Sequence, residues 1–476
     1  MHQLSGLDAS FLYGETPTTP MHVGGLQIYD PSTAPTGEVT FERILAYVQS
    51  HLHLVRTFRE KLVEVPMNLD HPYWVDDGDF DLEFHVRELA LPRPGTWEQL
   101  CIQTARLMSR PLDLSRPLWE IYVVRGIDDV KGVPDGSFGL VSKVHHAAID
   151  GVSGMEMTAT LNKLDPSDEP DPPAEPWVGE REPQPIELIN RAALNSITQP
   201  MHMARVVGRT VPAVGKVAQG IRQRRMTPPP LPGRVPRTRF NGQVDAHRVF
   251  DAVRFPFATF KTIRQAVPGC TVNDAVLTIV GGALRRFLDD HGELPDASLI
   301  AMAPISIRKP GQSGTQGNQV AMMLVSLGTD VAKPVDRLAA VYESTSNSKE
   351  VTQAIGASTL ADYSQFIPST VAGLAARLYT RTGLANRHNP IFTTTVTNVP
   401  GPQVPLYFCG AEMVGYYGLG PLVSGMGLIH PVLSYNGHLS IAFTSCRTML
   451  PDPAAYAACL QQSFDDLVRA ARKAVA

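Results

Sequence analysis

Two proline-rich segments constrain the fold of this 476-residue chain more than any other feature. Residues 165–176 are acidic and rich in proline, and residues 227–236 are rich in proline again. Because proline is excluded from helix interiors and central strands, both segments are predicted to be extended. Residues 186–225 between them have the pattern of a basic helix. We therefore expect an N-terminal half (1–165), a partly helical linker (166–239) and a C-terminal half (240–476).

The composition is typical of a globular protein with a large core, with 43% hydrophobic and 18% charged residues. The net charge of −4 makes a general nucleic-acid-binding surface unexpected. The five cysteines are far apart and form no CxxC pair, which favours a reducing compartment over disulfides or a zinc site. No signal peptide and no bilayer-spanning apolar run is evident. We expect a cytoplasmic protein that would meet a membrane from one side only.

Both halves combine strand and helix patterns. The N-terminal half has helix patterns at 41–54 and 98–108 and strand patterns at 119–126 and 138–144. In the C-terminal half, Thr271 can cap a helix that runs to about Asp290, strands are predicted at 299–307 and 319–327, and a final helix at 453–475. Asn436-Gly437 predicts a type I′ hairpin turn within 432–443. The predicted class is α/β, with a mixed sheet and helices in each half and a site between them.

The segment with the clearest chemistry is HHAAIDG, residues 145–151. It lies between the strand pattern at 138–144 and a predicted helix at 152–164, a junction at which reactive side chains are held on fixed backbone. An alcohol must lose its proton to attack a thioester, and a histidine with a pKa of about 6.5 can accept that proton at neutral pH. We assign this base role to His146 and expect His145 to pack or to orient it.

The aspartate of the same segment has two possible roles. Asp150 could hold the His146 ring, as in a catalytic triad, or pair with an arginine and fix the loop. We favour the second, because the chain has neither a Gly-x-Ser-x-Gly nucleophile motif nor an HExxH metal motif. Gly151 then permits the tight turn into the helix. A buried histidine pair without catalysis is the alternative.

Further sequence blocks accompany this motif along nearly the whole chain. Together with HHAAIDG, which matches HHxxxDG, they make the chain resemble the bacterial wax ester synthase/acyl-CoA:diacylglycerol acyltransferase family, one of the CoA-dependent acyltransferases. The blocks are LDASFL (7–12), PTTPMHVG (17–24), PLW (117–119), ND (273–274), PISIR (304–308) with GN (317–318), and TNVPGP (397–402).

This resemblance implies two chloramphenicol-acetyltransferase-like halves with a tunnel between them, open to acyl-CoA on one side and to the alcohol on the other. It implies that His146 is the general base and that Asp150 is structural, with Arg308 as its candidate partner. Asn273 would donate to the oxyanion, unless it only satisfies backbone groups at a helix N-terminus.

Two more residues have both a functional and a structural interpretation under the same resemblance. Trp119 would line the acyl tunnel or pack in the core, and both roles can hold. Asn398, with Gly401, would shape a turn near the tunnel, and here we favour the structural interpretation.

The basic linker has two interpretations as well. A charged helix is usually a solvated face, but interleaved Arg, Val, Met and Leu also suit an anionic membrane surface. The lipid substrates implied by the resemblance favour peripheral contact with the inner face of the membrane or with lipid inclusions.

The implied activity is transfer of a long-chain acyl group from acyl-CoA to diacylglycerol, to a long-chain alcohol or to both, without a covalent intermediate. The products would be triacylglycerol or wax esters for storage, with acyl-CoA as co-substrate and no cofactor or metal. Two alternatives stay open. One is a condensation enzyme that uses carrier-protein thioesters, although no carrier module adjoins. The other is a non-catalytic acyl-CoA or lipid-binding protein, although His146, Asp150, Asn273 and Arg308 are all present.

Overall fold

Strands and helices alternate in both halves of the computed structural model, which describes residues 1–148, 158–167, 179–195, 235–306, 320–355, 386 and 389–475. The strands are β1 His2–Gln3, β2 His22–Asp30, β3 Glu60–Val63, β4 Tyr73–Asp76, β5 Val86–Ala90, β6 Trp119–Ile127, β7 Ser137–His145, β8 Arg248–Pro256, β9 Ile300–Ser306, β10 Val320–Ser326, β11 Thr394–Pro400, β12 Tyr407–Phe408, β13 Ala411–Leu419, β14 Leu428–Tyr435 and β15 His438–Cys446. The labelled helices are α1 Gly6–Gly14, α2 Phe41–His51, α3 Leu82–His85, α4 Trp97–Met108, α5 Thr259–Ala266, α6 Val272–Asp290, α7 Pro334–Ile355 and α8 Pro453–Val475. Residues 158–161 and 185–195 are also helical.

The first large sheet has the order β12-β13-β2-β7-β6-β5. Strand β7 lies antiparallel to both β2 and β6, and β5 is parallel to β6. The predicted strands at 119–126 and 138–144 are thus confirmed as the neighbours β6 and β7. Because β7 is central and buried, the histidines at its end are held on fixed backbone.

The second large sheet repeats part of this pattern. Its order is β10-β9-β11-β14-β15-β8. Strand β15 lies antiparallel to β8 and β14, and β11 is parallel to β14. The set β8-β15-β14-β11 therefore pairs as β2-β7-β6-β5 does in the first sheet. Each half contains the same four-strand arrangement, although no repeat is visible in the sequence, and the predicted α/β class is confirmed.

The two halves share a sheet and a packed seam. Strands β12 and β13 follow β11 in the chain, yet β13 pairs with β2 in the first sheet, with Tyr417 opposite Leu26. Helix α4 packs against β8, where Trp97 Nε1 donates to Asp251 Oδ1 at 2.7 Å. The boundary predicted at residue 240 therefore does not separate the two sheets, because residues 407–419 complete the first one.

A small third sheet, β1-β4-β3, contacts the start of the linker. Leu188 and Ala192 of the helical residues 185–195 are buried against Val65 and Tyr73. The first part of the predicted linker helix therefore lies on protein, and its continuation at 196–225 is outside the described residues. In the part of the chain that the structure describes, no helix is both long enough and apolar enough to cross a membrane.

Local signals predicted several element ends correctly. The Thr271 side chain accepts from Asp274 N while the Asp274 side chain accepts from Thr271 N, a capping box that starts α6. Asn436 and Gly437 have φ angles of +40° and +76°, as the turn between β14 and β15 requires. The helix predicted to reach Leu164 ends earlier, since Lys163 pairs with Tyr407 of β12; residues 152–157 of that prediction lie outside the described residues.

Candidate active site

The two histidines are fixed by backbone hydrogen bonds from both sides of β7. His145 N donates to Leu118 O at 2.9 Å, and His146 N donates to Met21 O at 2.8 Å. A 3₁₀ turn, His146–Ala148, follows at once. Leu118 belongs to the PLW block and Met21 to the PTTPMHVG block, so two of the blocks that accompany the motif contact it directly.

His145 is fully buried and connects this turn to the N-terminal helix. Its Nδ1 accepts from Ala147 N at 3.0 Å, and its Nε2 lies 3.0 Å from Glu15 Oε2. Because a backbone N–H can only donate, Nδ1 carries no proton, and Nε2 is the donor to the Glu15 carboxylate. This geometry fits the supporting role predicted for His145.

His146 is half-buried, and its ring stacks on Phe11, with centroids 3.7 Å apart and planes 13° from parallel. Its Nδ1 is buried, and no other described residue forms a hydrogen bond to it. Burial lowers the pKa of His146 to about 4, His145 acts in the same direction, and an interaction with its own backbone carbonyl opposes both. At neutral pH the imidazole is therefore uncharged and can accept a proton.

Helix α1 supplies partners to both histidines. Phe11 lies in the last turn of this helix, and Glu15 is the extended residue at its C-cap. Ala9 of α1 is buried with Leu118 and Ala147, which packs the helix onto the histidine turn. Neither α1 nor Glu15 is predicted from the sequence. The available signal was that Glu15 is the one acidic residue between the LDASFL and PTTPMHVG blocks.

Trp119 lies in the core of the N-terminal half. Its side chain is fully buried, Nε1 donates to Phe58 O at 3.1 Å, and its ring stacks on His85 with centroids 4.6 Å apart. Trp119 therefore packs in the core, as its structural interpretation states, and its contact with an acyl tunnel stays a prediction.

The ND block separates into two different environments. Asn398 Nδ2 lies 3.4 Å from Asn273 Oδ1, a long contact that leaves Asn273 Nδ2 as the remaining donor. Asp274 is fully buried and accepts from Thr271 N at 2.7 Å and from Thr345 Oγ1 at 2.6 Å. Asp274 is thus structural, whereas the oxyanion role of Asn273 stays a prediction. Asn398 lies within strand β11, opposite Val432 of β14, so it does not itself form the turn that we predicted for it.

Three predicted site residues, Asp150, Gly151 and Arg308, lie outside the described residues. The contact of Asp150 with Arg308 and the role of Gly151 in the turn therefore stay predictions.

Comparison with known proteins places this geometry in a family. The wax ester synthase/diacylglycerol acyltransferase catalytic domain matches residues 4–276, and the C-terminal domain of the same family matches residues 316–468. A Mycobacterium tuberculosis H37Rv protein whose name assigns it to the diacylglycerol O-acyltransferases is 35% identical over 457 residues, which cover 95% of this chain and 87% of the relative.

Solved structures agree with this match. The wax ester synthase/diacylglycerol acyltransferase of Marinobacter aquaeolei VT8 has a TM-score of 0.70 and 27% identity, covering 99% of this chain and all of that one. The first condensation domain of the CDA synthetase has a TM-score of 0.56 at 12% identity, covering all of this chain and 97% of that one, which shows a shared fold alone. The chain belongs to the wax ester synthase/diacylglycerol acyltransferase family.

Proposed function

We propose that this protein transfers a long-chain acyl group from acyl-CoA to diacylglycerol, to a long-chain alcohol or to both, with His146 as general base. Membership of the family supports the reaction class. The observation that carries the mechanism is an uncharged, half-buried His146 at the end of a central strand, held by its own backbone bond to Met21 and by that of His145 to Leu118.

The proposed reaction is a direct transfer. Because Nδ1 of His146 is buried, Nε2 is the atom that accepts the proton of the acceptor hydroxyl. The hydroxyl oxygen attacks the thioester carbonyl at the same time. The tetrahedral intermediate then collapses, the carbon–sulfur bond breaks, and the departing sulfur of CoA takes the proton from His146. Both substrates are bound together, so no acyl-enzyme forms and no cofactor is needed.

Other residues support this step in the proposal. Glu15 and His145 position the turn that carries His146. The Nδ2 group of Asn273 donates to the developing oxyanion, a contribution that can reach about 3 kcal/mol. Asp150 and Arg308 brace the loop after the histidines, Asn398 orients Asn273, and Trp119 is the residue proposed to line the acyl tunnel.

A lipid acceptor also favours an enzyme that contacts a membrane or a lipid inclusion from the cytoplasmic side, and this contact is part of the proposal. The basic residues of the linker after position 195 would form this contact with the membrane or the lipid inclusion.

One product assay tests the reaction. Purified protein receives palmitoyl-CoA with diacylglycerol and hexadecanol in parallel, and the lipid products are separated and identified by mass. We expect triacylglycerol, wax ester or both, without any carrier protein. Turnover that requires a carrier protein would favour the condensation enzyme, and tight acyl-CoA binding without any ester would favour the binding protein.

A further inference from the structure

Basic residues from both halves meet at the seam near the histidines. Arg110 follows α4, His247 precedes β8, and Arg447 follows β15; all three are exposed. Arg248 N donates to Ser109 Oγ at 3.3 Å, and Arg447 N donates to His247 O at 3.0 Å. These contacts bring the backbones of the three segments together at one place on the seam.

The two arginines carry unused charge. Among the described residues, neither guanidinium of Arg110 and Arg447 forms a hydrogen bond or an ion pair. Arg248 beside them differs, because it is buried and donates to the carbonyls of Asp245 and Thr18. Arg248 therefore holds the seam together, while Arg110 and Arg447 remain available to a ligand.

The nearby carboxylates are already engaged: Glu120 pairs with Lys143 at 2.8 Å, and Asp245 is held by its own loop. Asp245 accepts from Thr448 Oγ1 at 2.6 Å and from His247 N at 2.6 Å. Burial alone would raise the pKa of Asp245, but these hydrogen bonds together outweigh burial and hold the pKa below the usual range. The carboxylate faces the His247 ring with Nδ1 3.5 Å away. Even with Asp245 ionised, the two arginines leave the surface net positive.

A short path joins this surface to the active site. The Arg248 side chain donates to Thr18 O, and Thr18 is three residues before Met21, whose carbonyl accepts from His146 N. Three residues span at most about 11 Å. This limit holds for Thr18 and Met21, and the proposal is that a long flexible arm on the substrate spans the remaining distance between His146 and the basic surface.

We propose that Arg110, Arg447 and His247 bind the phosphate groups of the acyl-CoA substrate. Diacylglycerol and fatty alcohols are uncharged, whereas CoA carries a diphosphate and a further phosphate at the end of the pantetheine arm. Guanidinium groups match phosphate oxygens with two parallel hydrogen bonds, so two unpaired arginines suit this ligand. Naming CoA as the ligand rests on the proposed function.

The test compares two acyl donors. For Arg110→Gln and Arg447→Gln, the KM for palmitoyl-CoA is expected to rise about 10-fold each, with kcat and the KM for the acceptor unchanged. With S-palmitoyl-N-acetylcysteamine, which lacks the phosphates, both variants are expected to match the wild type. Arg472→Gln is the matched control, since Arg472 is an exposed arginine in the last turn of α8.

Binding of free CoA, measured by calorimetry, separates this proposal from the proposed function. Weaker CoA binding in both variants supports the site even if no ester forms. Wild-type affinity for CoA in both variants would overturn the site even if the enzyme is active, and so would an equal rise in KM for both acyl donors.

Discussion

Replacing Glu15 tests whether the N-terminal helix positions the catalytic histidine. Glu15 Oε2 lies 3.0 Å from His145 Nε2, with the side chain of His145 fully buried and that of Glu15 11% exposed. A hydrogen bond between a buried N–H and a carboxylate contributes about 1.5–3 kcal/mol, more than a surface ion pair does. Glu15→Ala also leaves the buried Nε2–H without an acceptor. We therefore expect a loss of about 2–3 kcal/mol in the free energy of unfolding.

The same change is expected to reduce turnover. Because His145 also accepts from Ala147 N, it ties the turn that carries His146 to α1. A displacement of the base by about 1 Å can cost about 100-fold in rate, so kcat is expected to fall about 10–100-fold while the KM for acyl-CoA stays the same. Glu15→Gln keeps an acceptor oxygen and should retain kcat within about 5-fold of the wild type.

Urea unfolding and steady-state kinetics measure both effects. Glu293→Ala is the matched control, because Glu293 forms an ion pair with Arg239 at 2.6 Å that is partly exposed and lies on another part of the surface. Its expected cost is below about 1 kcal/mol, with kcat unchanged. Wild-type kcat and stability in Glu15→Ala, or equal losses in Glu15→Ala and Glu15→Gln, would refute the positioning role.

Buried histidines and one buried aspartate determine the remaining predictions. Because burial lowers the pKa of His146 to about 4, its base form persists as the pH falls, and kcat/KM is expected to decline with a midpoint near 4; a midpoint near 6.5 in folded protein would argue against this base. Burial also lowers the pKa of His22 and of His430 to about 3, so the unfolded chain gains protons below pH 6.5 that the folded chain does not. Each of these two histidines is expected to lower the free energy of unfolding by about 1.4 kcal/mol per pH unit below 6.5. Urea unfolding at pH 7 and pH 5 measures this loss, and the His430→Gln variant should show a weaker dependence of stability on pH. Asp274→Ala removes the acceptor for Thr271 and Thr345 and is expected to cost about 3 kcal/mol in the same assay; a cost below 1 kcal/mol would show that these hydrogen bonds contribute little.

Local patterns were sufficient to predict many elements. The apolar runs at 119–126 and 138–144 become β6 and β7, Thr271 caps α6, and Asn436-Gly437 forms the turn between β14 and β15. Each of these depends on residues close together in the chain, so periodicity and capping rules apply. The position of the histidines at the end of a strand follows from the same rules, whereas the central place of that strand in the sheet does not.

Long-range partners could not be predicted in this way. Buried and partly buried residues alternate along most of strand β13, but nothing in the local sequence indicates that this strand crosses from the C-terminal half to pair with β2. Likewise, Glu15 and His145 are separated by 130 residues, and their contact depends on how α1 packs on the histidine turn. A motif does not predict how its adjacent residues divide between roles. In the ND block, Asp274 is buried in a capping box while Asn273 contacts Asn398.

The central claim is that His146 removes the proton of the acceptor hydroxyl. The direct measurement is kcat of His146→Ala with palmitoyl-CoA and the acceptor that the wild type esterifies, together with its CoA affinity and unfolding free energy. We predict that kcat falls by about 10²–10⁴-fold while CoA binding and folding are retained. A folded His146→Ala protein that turns over at the wild-type rate would contradict the claim.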